Sequence, residues 1–168
     1  MSKIKSKFRF VDGSKIYDKY EKKYNTHEKG YVILAPPASG KTTYVKNQKN
    51  KDWIDSDDIF SELGVKWKLN SDNPEEFKLN YLRADYMLEQ TKALGFRILS
   101  SLFYKYIPDA IVIPKLTIHK KYISMRKDLS LQTCLNIRKY LKNMAKEKDV
   151  LVFEEIEDAI EYLENKKN

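Results

Sequence analysis

The sequence predicts an α/β fold, a mostly parallel β-sheet covered by helices on both faces. Three features lead there. Short apolar, β-rich runs recur at 31–34, 53–54, 96–103, 109–114 and 150–153. Stretches of helical periodicity separate them, and such alternation is what parallel crossovers require. The first run also passes through a Pro/Ala/Gly turn directly into Gly40-Lys41-Thr42, in the order strand, loop, helix.

Residues 1–29 are polar, basic and tyrosine-rich, with a passable helical spacing over 14–24, and read as a peripheral appendage to a single domain over 30–168. Tyr31-Val32-Ile33-Leu34 has the continuous apolar character of a strand buried on both faces. After the loop, Thr42-Thr43-Tyr44-Val45-Lys46 can open a helix. Trp53-Ile54 is a very short second strand that runs into the acidic turn Asp55-Ser56-Asp57-Asp58 and a short helix over 59–63.

Asn73-Pro74-Glu75-Glu76 is a helix start: a cap residue, proline at the first helical position and glutamate three residues after the cap. Phe77, Tyr81, Ala84, Leu88 and Thr91 then recur at spacings of three and four, and Gly95 stands where a C-terminal cap belongs. The runs 96–103 and 109–114 are too short and β-rich for good helices. Residues 117–128 form a basic segment, and Ser130 caps a helix to about residue 146 through Leu131, Leu135, Leu141 and Met144. A fifth strand over 150–153 leads into a last helix over 154–165, with Ile156, Ala159, Ile160 and Leu163 facing inward and early glutamates suited to the helix dipole.

The stretch YVILAPPASGKTT, residues 31–43, carries the chemistry. Its ending is that of a phosphate-binding loop, which implies a nucleoside triphosphate. The backbone amides of Ala35, Pro36, Pro37, Ala38, Ser39, Gly40, Lys41, Thr42 and Thr43, so far as these residues have them, would wrap the phosphates together with the start of the next helix. Lys41 would offer a mobile ammonium to the β and γ oxygens, and Thr42 a hydroxyl to Mg²⁺. Ala35 and Ala38 occupy positions where the motif commonly has glycine, so the loop must make its turns with residues that tolerate positive φ less well.

Composition narrows the class. The 168 residues are 42% hydrophobic and 33% charged, the balance of a globular chain. No apolar run approaches the ~18 residues of a membrane span, and no apolar stretch follows the basic first residues as a secretory signal would require. A cytoplasmic protein is expected. Cys134 is the one cysteine, which excludes an internal disulfide and reads as a helix packing residue. His27 and His119 are isolated, with no partners at metal-ligand spacing, so surface or packing roles are expected of them. The net charge of +8 suits a polyanionic partner, a phosphorylated small substrate or simply a solvated lysine-rich surface.

In this order of elements, residues 30–165 resemble the P-loop kinases of nucleosides, nucleotides and polynucleotide ends. The resemblance implies a three-layer P-loop fold with five parallel strands in spatial order 2-3-1-4-5. It also implies an ATP and Mg²⁺ site on 35–43, an acidic residue after the second strand, and a basic lid, here matched by 117–128. Trp53-Ile54-Asp55-Ser56-Asp57-Asp58-Ile59-Phe60 is similar to the segment of polynucleotide-kinase-like enzymes in which an aspartate takes the proton of the attacking hydroxyl. That alignment makes Asp57 the base and a metal-side residue, with Asp55 the rival suggested by nucleoside kinases. The competing structural explanation is that Ser56 or Asp57 merely caps a helix starting at Asp58.

In the basic segment, Lys120, Lys121, Arg126 and Lys127 are either a solvated helix face or a lid. For a lid, planar guanidinium suits the transferred phosphoryl group better than ammonium, which selects Arg126, with Arg138 behind it. Tyr81 and Arg83, on the long helix that would flank the acceptor site, are candidates for acceptor contact. The chain departs from the family's pattern in two places: 97–103 holds no acid, and the lid lacks a closely spaced arginine pair. The implied activity is an ATP-dependent phosphotransferase acting on a nucleoside, nucleotide or nucleic acid, with no membrane partner. Its rivals are a nucleic-acid end or modified-base kinase, supported by the charge and the twelve tyrosines, and a nucleotide-binding protein that no longer transfers phosphate. The absence of an Asn-Lys-x-Asp signature disfavours a small GTPase.

Overall fold

The computed structural model describes residues 20–62 and 74–166, without the side chains of 60–62, 74, 76, 77, 79 and 80. Most of the expected helix over 14–24, Leu63, the Asn73 cap and the Phe77 side chain lie outside the described residues. Five strands form a parallel sheet: β1 (Tyr31–Leu34), β2 (Trp53–Asp55), β3 (Arg97–Ser100), β4 (Ala110–Val112) and β5 (Val152–Phe153). Their spatial order is β2-β3-β1-β4-β5, and with the intervening helices this is a three-layer α/β fold. The helices are α1 (Lys41–Asn47), α2 (Ser56–Glu62), α3 (Pro74–Ala93), α4 (Leu116–Ser124), α5 (Leu131–Lys148) and α6 (Ile156–Glu164). Among the described residues no helix is long and apolar enough to cross a membrane.

The chain forms two compact units. One comprises the described residues of 20–31, 48–98 and 102–106. Its core is built on Trp53, Ile54, Ile59, Ala84, Met87, Leu88 and Phe96, all essentially inaccessible to solvent. Tyr20 is buried in this unit, and its hydroxyl donates to the carbonyl of Asp58 at 3.2 Å. Asn25 donates its amide to Lys51 and His27 donates its own to Gly95, so residues 20–29 are stitched into the unit by main-chain bonds that no composition signal reveals. As the outer strand of the sheet, β2 needs partners for its free side. The Gln48 amide group supplies them to Trp53, donating to its carbonyl at 2.8 Å and accepting from its N–H at 3.0 Å.

The α3 stripe is buried at Ala84, Leu88 and Thr91, with Met87 beside them and Tyr81 only partly covered. The helix ends in a full Schellman motif: Phe96 donates to the Thr91 carbonyl and Gly95 to that of Lys92. Gly95 has φ +92°, and a Cβ there would lie 2.3 Å from the His27 carbonyl oxygen. Glycine is demanded twice, by conformation and by space.

The second unit comprises 32–47, 99–101 and 107–166. Ile33 and Leu34 of β1 pair with Ala110 and Ile111 of β4, whose Ile111 and Val112 pair in turn with Val152 and Phe153 of β5. The Asp109 side chain accepts the Val32 N–H at 2.8 Å, while its own N–H donates to the Val32 carbonyl, extending the β1–β4 ladder by one residue. The α6 stripe of Ile156, Ala159, Ile160 and Leu163 is buried as its spacing requires. Cys134 is buried on α5, which is capped by Ser130 accepting the Thr133 N–H at 3.3 Å.

Several boundaries differ from expectation. The strand expected over 96–103 is confined to Arg97–Ser100, and the last strand to two residues, because short strands end where the ladder runs out. The basic segment contains a nine-residue helix, α4, with His119 and Ile123 on its buried side. The acidic turn after β2 is the first turn of α2.

Candidate functional site

The 35–42 loop lies wholly within the second unit. It leaves β1 at Ala35, which is buried and donates its N–H to the Ser100 carbonyl at 3.0 Å. Pro36 and Pro37 have no N–H and fix φ, so the first amide the loop can present after Ala35 is that of Ala38. Ala38 has φ 61° and Gly40 φ 93°. The turn thus uses the left-handed conformation at a residue with a Cβ, as the missing glycine foreshadowed, at about 1–2 kcal/mol. Tyr44 donates the first helical bond to the Gly40 carbonyl, so the amides before it lie ahead of the α1 ladder.

Lys41, the first residue of α1, is only 6% exposed. Its ammonium folds back over the loop and donates to the Pro36 carbonyl at 3.1 Å and to the Ser39 hydroxyl at 3.4 Å. Thr42 and Thr43 face solvent on the first turn.

His119, for which only a surface or packing role is expected, meets this loop, and Arg138, the second lid candidate, reaches it through His119. His119 is fully buried, and its Nε2 lies 2.8 Å from the Pro37 carbonyl oxygen. A carbonyl only accepts, so Nε2 carries the proton and Nδ1 presents a lone pair. Arg138 of α5 fills that role, its Nη1 donating to Nδ1 at 3.4 Å and also to the Pro114 carbonyl beyond β4. Burial pushes the His119 pKa down; the bond to Pro37 works against this, and the charges of Arg138 and Lys41 add to it. The ring is therefore neutral at pH 7. A histidine in the buried 119/123 register of a helix is the only local sign of this, and it is weak.

The lysines and arginine of the basic segment lie at the surface. Lys120, Lys121 and Lys127 are exposed, and Arg126 forms an exposed ion pair with Asp128, Nη2 to Oδ2 at 2.6 Å and Nε to Oδ1 at 3.1 Å. The Arg126 bond holds the Asp128 carboxyl below its usual range. Cys134 is raised by burial, against the pull of Arg126 and Lys41.

In the first unit, Asp55 is the last residue of β2 and is buried, and its Oδ1 accepts the Asp57 N–H at 3.1 Å. The capping expected of Ser56 or Asp57 is thus performed by Asp55, at the start of a helix that begins at Ser56. Asp57 and Asp58 are exposed. Burial raises the Tyr24 pKa, as do the charges of Asp58 and Asp55, and its hydroxyl is hydrogen-bonded to Asp58. Asp58 thus has a phenol partner. Arg83 is exposed on α3, and burial raises the Tyr81 pKa. Among the described residues no three His, Cys, Asp or Glu side chains gather into a metal cluster.

The chain matches no known family model and no curated protein.

Proposed function

We propose that this protein is an ATP-dependent phosphotransferase of the P-loop kinase type, moving the γ-phosphoryl group to a nucleoside, nucleotide or polynucleotide acceptor. One observation carries the proposal. The buried Lys41 ammonium is folded onto the Pro36 carbonyl and Ser39 hydroxyl of a loop whose turns at Ala38 and Gly40 are left-handed. A cation held against a short run of backbone amides is suited to polyphosphate, because both parts of the site attract negative charge. Phosphate oxygens would take over the ammonium from those two neutral acceptors.

ATP and Mg²⁺ fit the residues present: the amides from Ala38 onward and Lys41 for the β and γ phosphates, and the exposed Thr42 hydroxyl for the metal. When bound, they supply the transferable phosphoryl group and neutralise its charge. Lys41 then holds charge as it develops on the transferred group. On the strength of the resemblance Asp57, with Asp55 as the rival, is assigned the proton of the acceptor hydroxyl and a share of the metal, and Arg126 the closing of the site. The proposed setting is the cytoplasm.

A second reading, a nucleotide-binding protein without transfer activity, is favoured by the use of an Asp55 oxygen as a helix cap. Labelled ATP offered with nucleosides, monophosphates and DNA ends separates the two. Transfer to one acceptor class, lost by about 10²-fold or more in Lys41→Ala with folding retained, supports the kinase. ATP binding without transfer to any acceptor supports the second reading, and unchanged transfer in Lys41→Ala removes the loop from the mechanism.

A further inference from the structure

We propose that His119 and Arg138 are positioning residues for the 35–42 loop: His119 aims the first phosphate-facing amide of the loop, and Arg138 holds His119 in the tautomer and orientation that do so. The proposal rests on the reading of this loop as a nucleotide site.

The peptide plane supplies the mechanism. No peptide bond among the described residues is cis, so the Ala38 N–H points opposite to the Pro37 carbonyl with which it shares a plane. Whatever holds the Pro37 oxygen therefore also aims the Ala38 amide. His119 Nε2 holds that oxygen at 2.8 Å from a fully buried position 82 residues away in the sequence. The amide so aimed is the first one available after two prolines, at a residue already forced to φ 61°. The neighbouring Pro36 carbonyl is held separately, by Lys41 at 3.1 Å. Both diproline carbonyls are thus tethered, one from inside the loop and one from outside.

Arg138 acts one step back. Its Nη1 donates to the Pro114 carbonyl and to His119 Nδ1 at 3.4 Å. A guanidinium can only donate, so its presence at Nδ1 selects the tautomer with the proton on Nε2, the one able to bond Pro37. Removal of Arg138 leaves the ring free to adopt the other tautomer or to turn.

The test uses His119→Ala, His119→Gln, Arg138→Met and the double variant His119→Ala/Arg138→Met. Three measurements are made on each: thermal unfolding, affinity for ATP·Mg²⁺ by calorimetry, and hydrogen exchange of the loop peptide 35–43 in the ligand-free protein. Loss of one directed hydrogen bond should weaken ATP by about tenfold in His119→Ala. His119→Gln, which keeps an N–H donor, should recover most of it. Arg138→Met should weaken ATP less, and the double variant no more than His119→Ala alone, because Arg138 acts through His119. Loop exchange should speed up in His119→Ala and return in His119→Gln.

A His119→Ala protein that melts lower but keeps ATP affinity within twofold and loop exchange unchanged overturns the proposal, because the ring would then be only packing. Should His119→Ala fail to fold, Arg138→Met and His119→Gln give the same comparison at milder cost. Wild-type protein that binds no ATP refutes the nucleotide reading instead, and loop exchange still decides whether His119 positions the loop.

Discussion

Asp55 is the place where a folding role and a chemical role are superimposed on one side chain, and the two can be separated. Its Oδ1 accepts the Asp57 N–H at 3.1 Å, at the start of α2, from a position only 4% exposed. Losing an N-cap of this kind costs about 1 kcal/mol, within a range of roughly 0.5–2. Loss of a negative charge at the positive end of a helix adds about 0.3–1 kcal/mol. Asp55→Ala should therefore destabilise by roughly 1–3 kcal/mol, which at about 2–4 °C per kcal/mol for a chain of this length lowers Tm by about 2–12 °C. Asp55→Asn keeps an oxygen acceptor and forfeits only the charge, so its loss should stay below about 1 kcal/mol. Urea unfolding of wild type and both variants, followed by circular dichroism, reads the difference. Equal destabilisation by Ala and Asn would refute the capping role. Paired transfer assays then assign the chemistry: a base at Asp55 makes Asp55→Asn inactive although stable, whereas a base at Asp57 makes Asp57→Asn inactive and spares Asp55→Asn.

Three further outcomes follow from the geometry of the second unit. Ala38→Gly should relieve a left-handed penalty of about 1–2 kcal/mol while adding about 0.4–1 kcal/mol of unfolded-chain entropy. Chemical denaturation should show a net gain of up to about 1.6 kcal/mol, and a clear loss of stability would mean that Ala38 is not strained. His119 has its pKa lowered in the folded state by burial and by the charges of Arg138 and Lys41. The unfolded chain therefore binds the extra proton first, so this contribution is present above about pH 6.5 and is lost as pH falls below it. Melting curves from pH 8 to 5 should show that fall in wild type and less of it in His119→Gln. Arg126→Ala removes an exposed pair with Asp128 and should leave Tm essentially unmoved, because such pairs are screened by water. If Arg126 closes the site, turnover falls in that variant; undiminished turnover excludes it.

What was legible in the chain was local. The first strand, the loop and the helix after it are contiguous, and each announces itself through four apolar residues, two prolines or a Gly-Lys-Thr ending. The sheet has the expected strand order 2-3-1-4-5, and the buried stripes of α3 and α6 sit where 3.6-residue spacing puts them. The helix Leu116–Ser124 was harder to see, because exposed Lys120 and Lys121 and exposed apolar Ile118 and Tyr122 blur its periodicity. The α2 start was displaced because Asp55, Ser56, Asp57 and Asp58 are all competent caps, and only burial at the end of β2 selects the first of them.

The sequence by itself determined the alternation of strands and helices, the inward faces of the long helices and the loop with its lysine, since periodicity and turn chemistry act over a few neighbouring residues. Tertiary structure alone decided which basic groups reach that loop. Arg126 pairs with Asp128 at the surface, while His119, 82 positions beyond Pro37, bonds its carbonyl, and Arg138, 101 positions beyond, bonds His119 in turn. Contacts across such separations depend on how α4 and α5 pack, and packing is set by complementary shape and buried hydrogen bonds that no local pattern encodes.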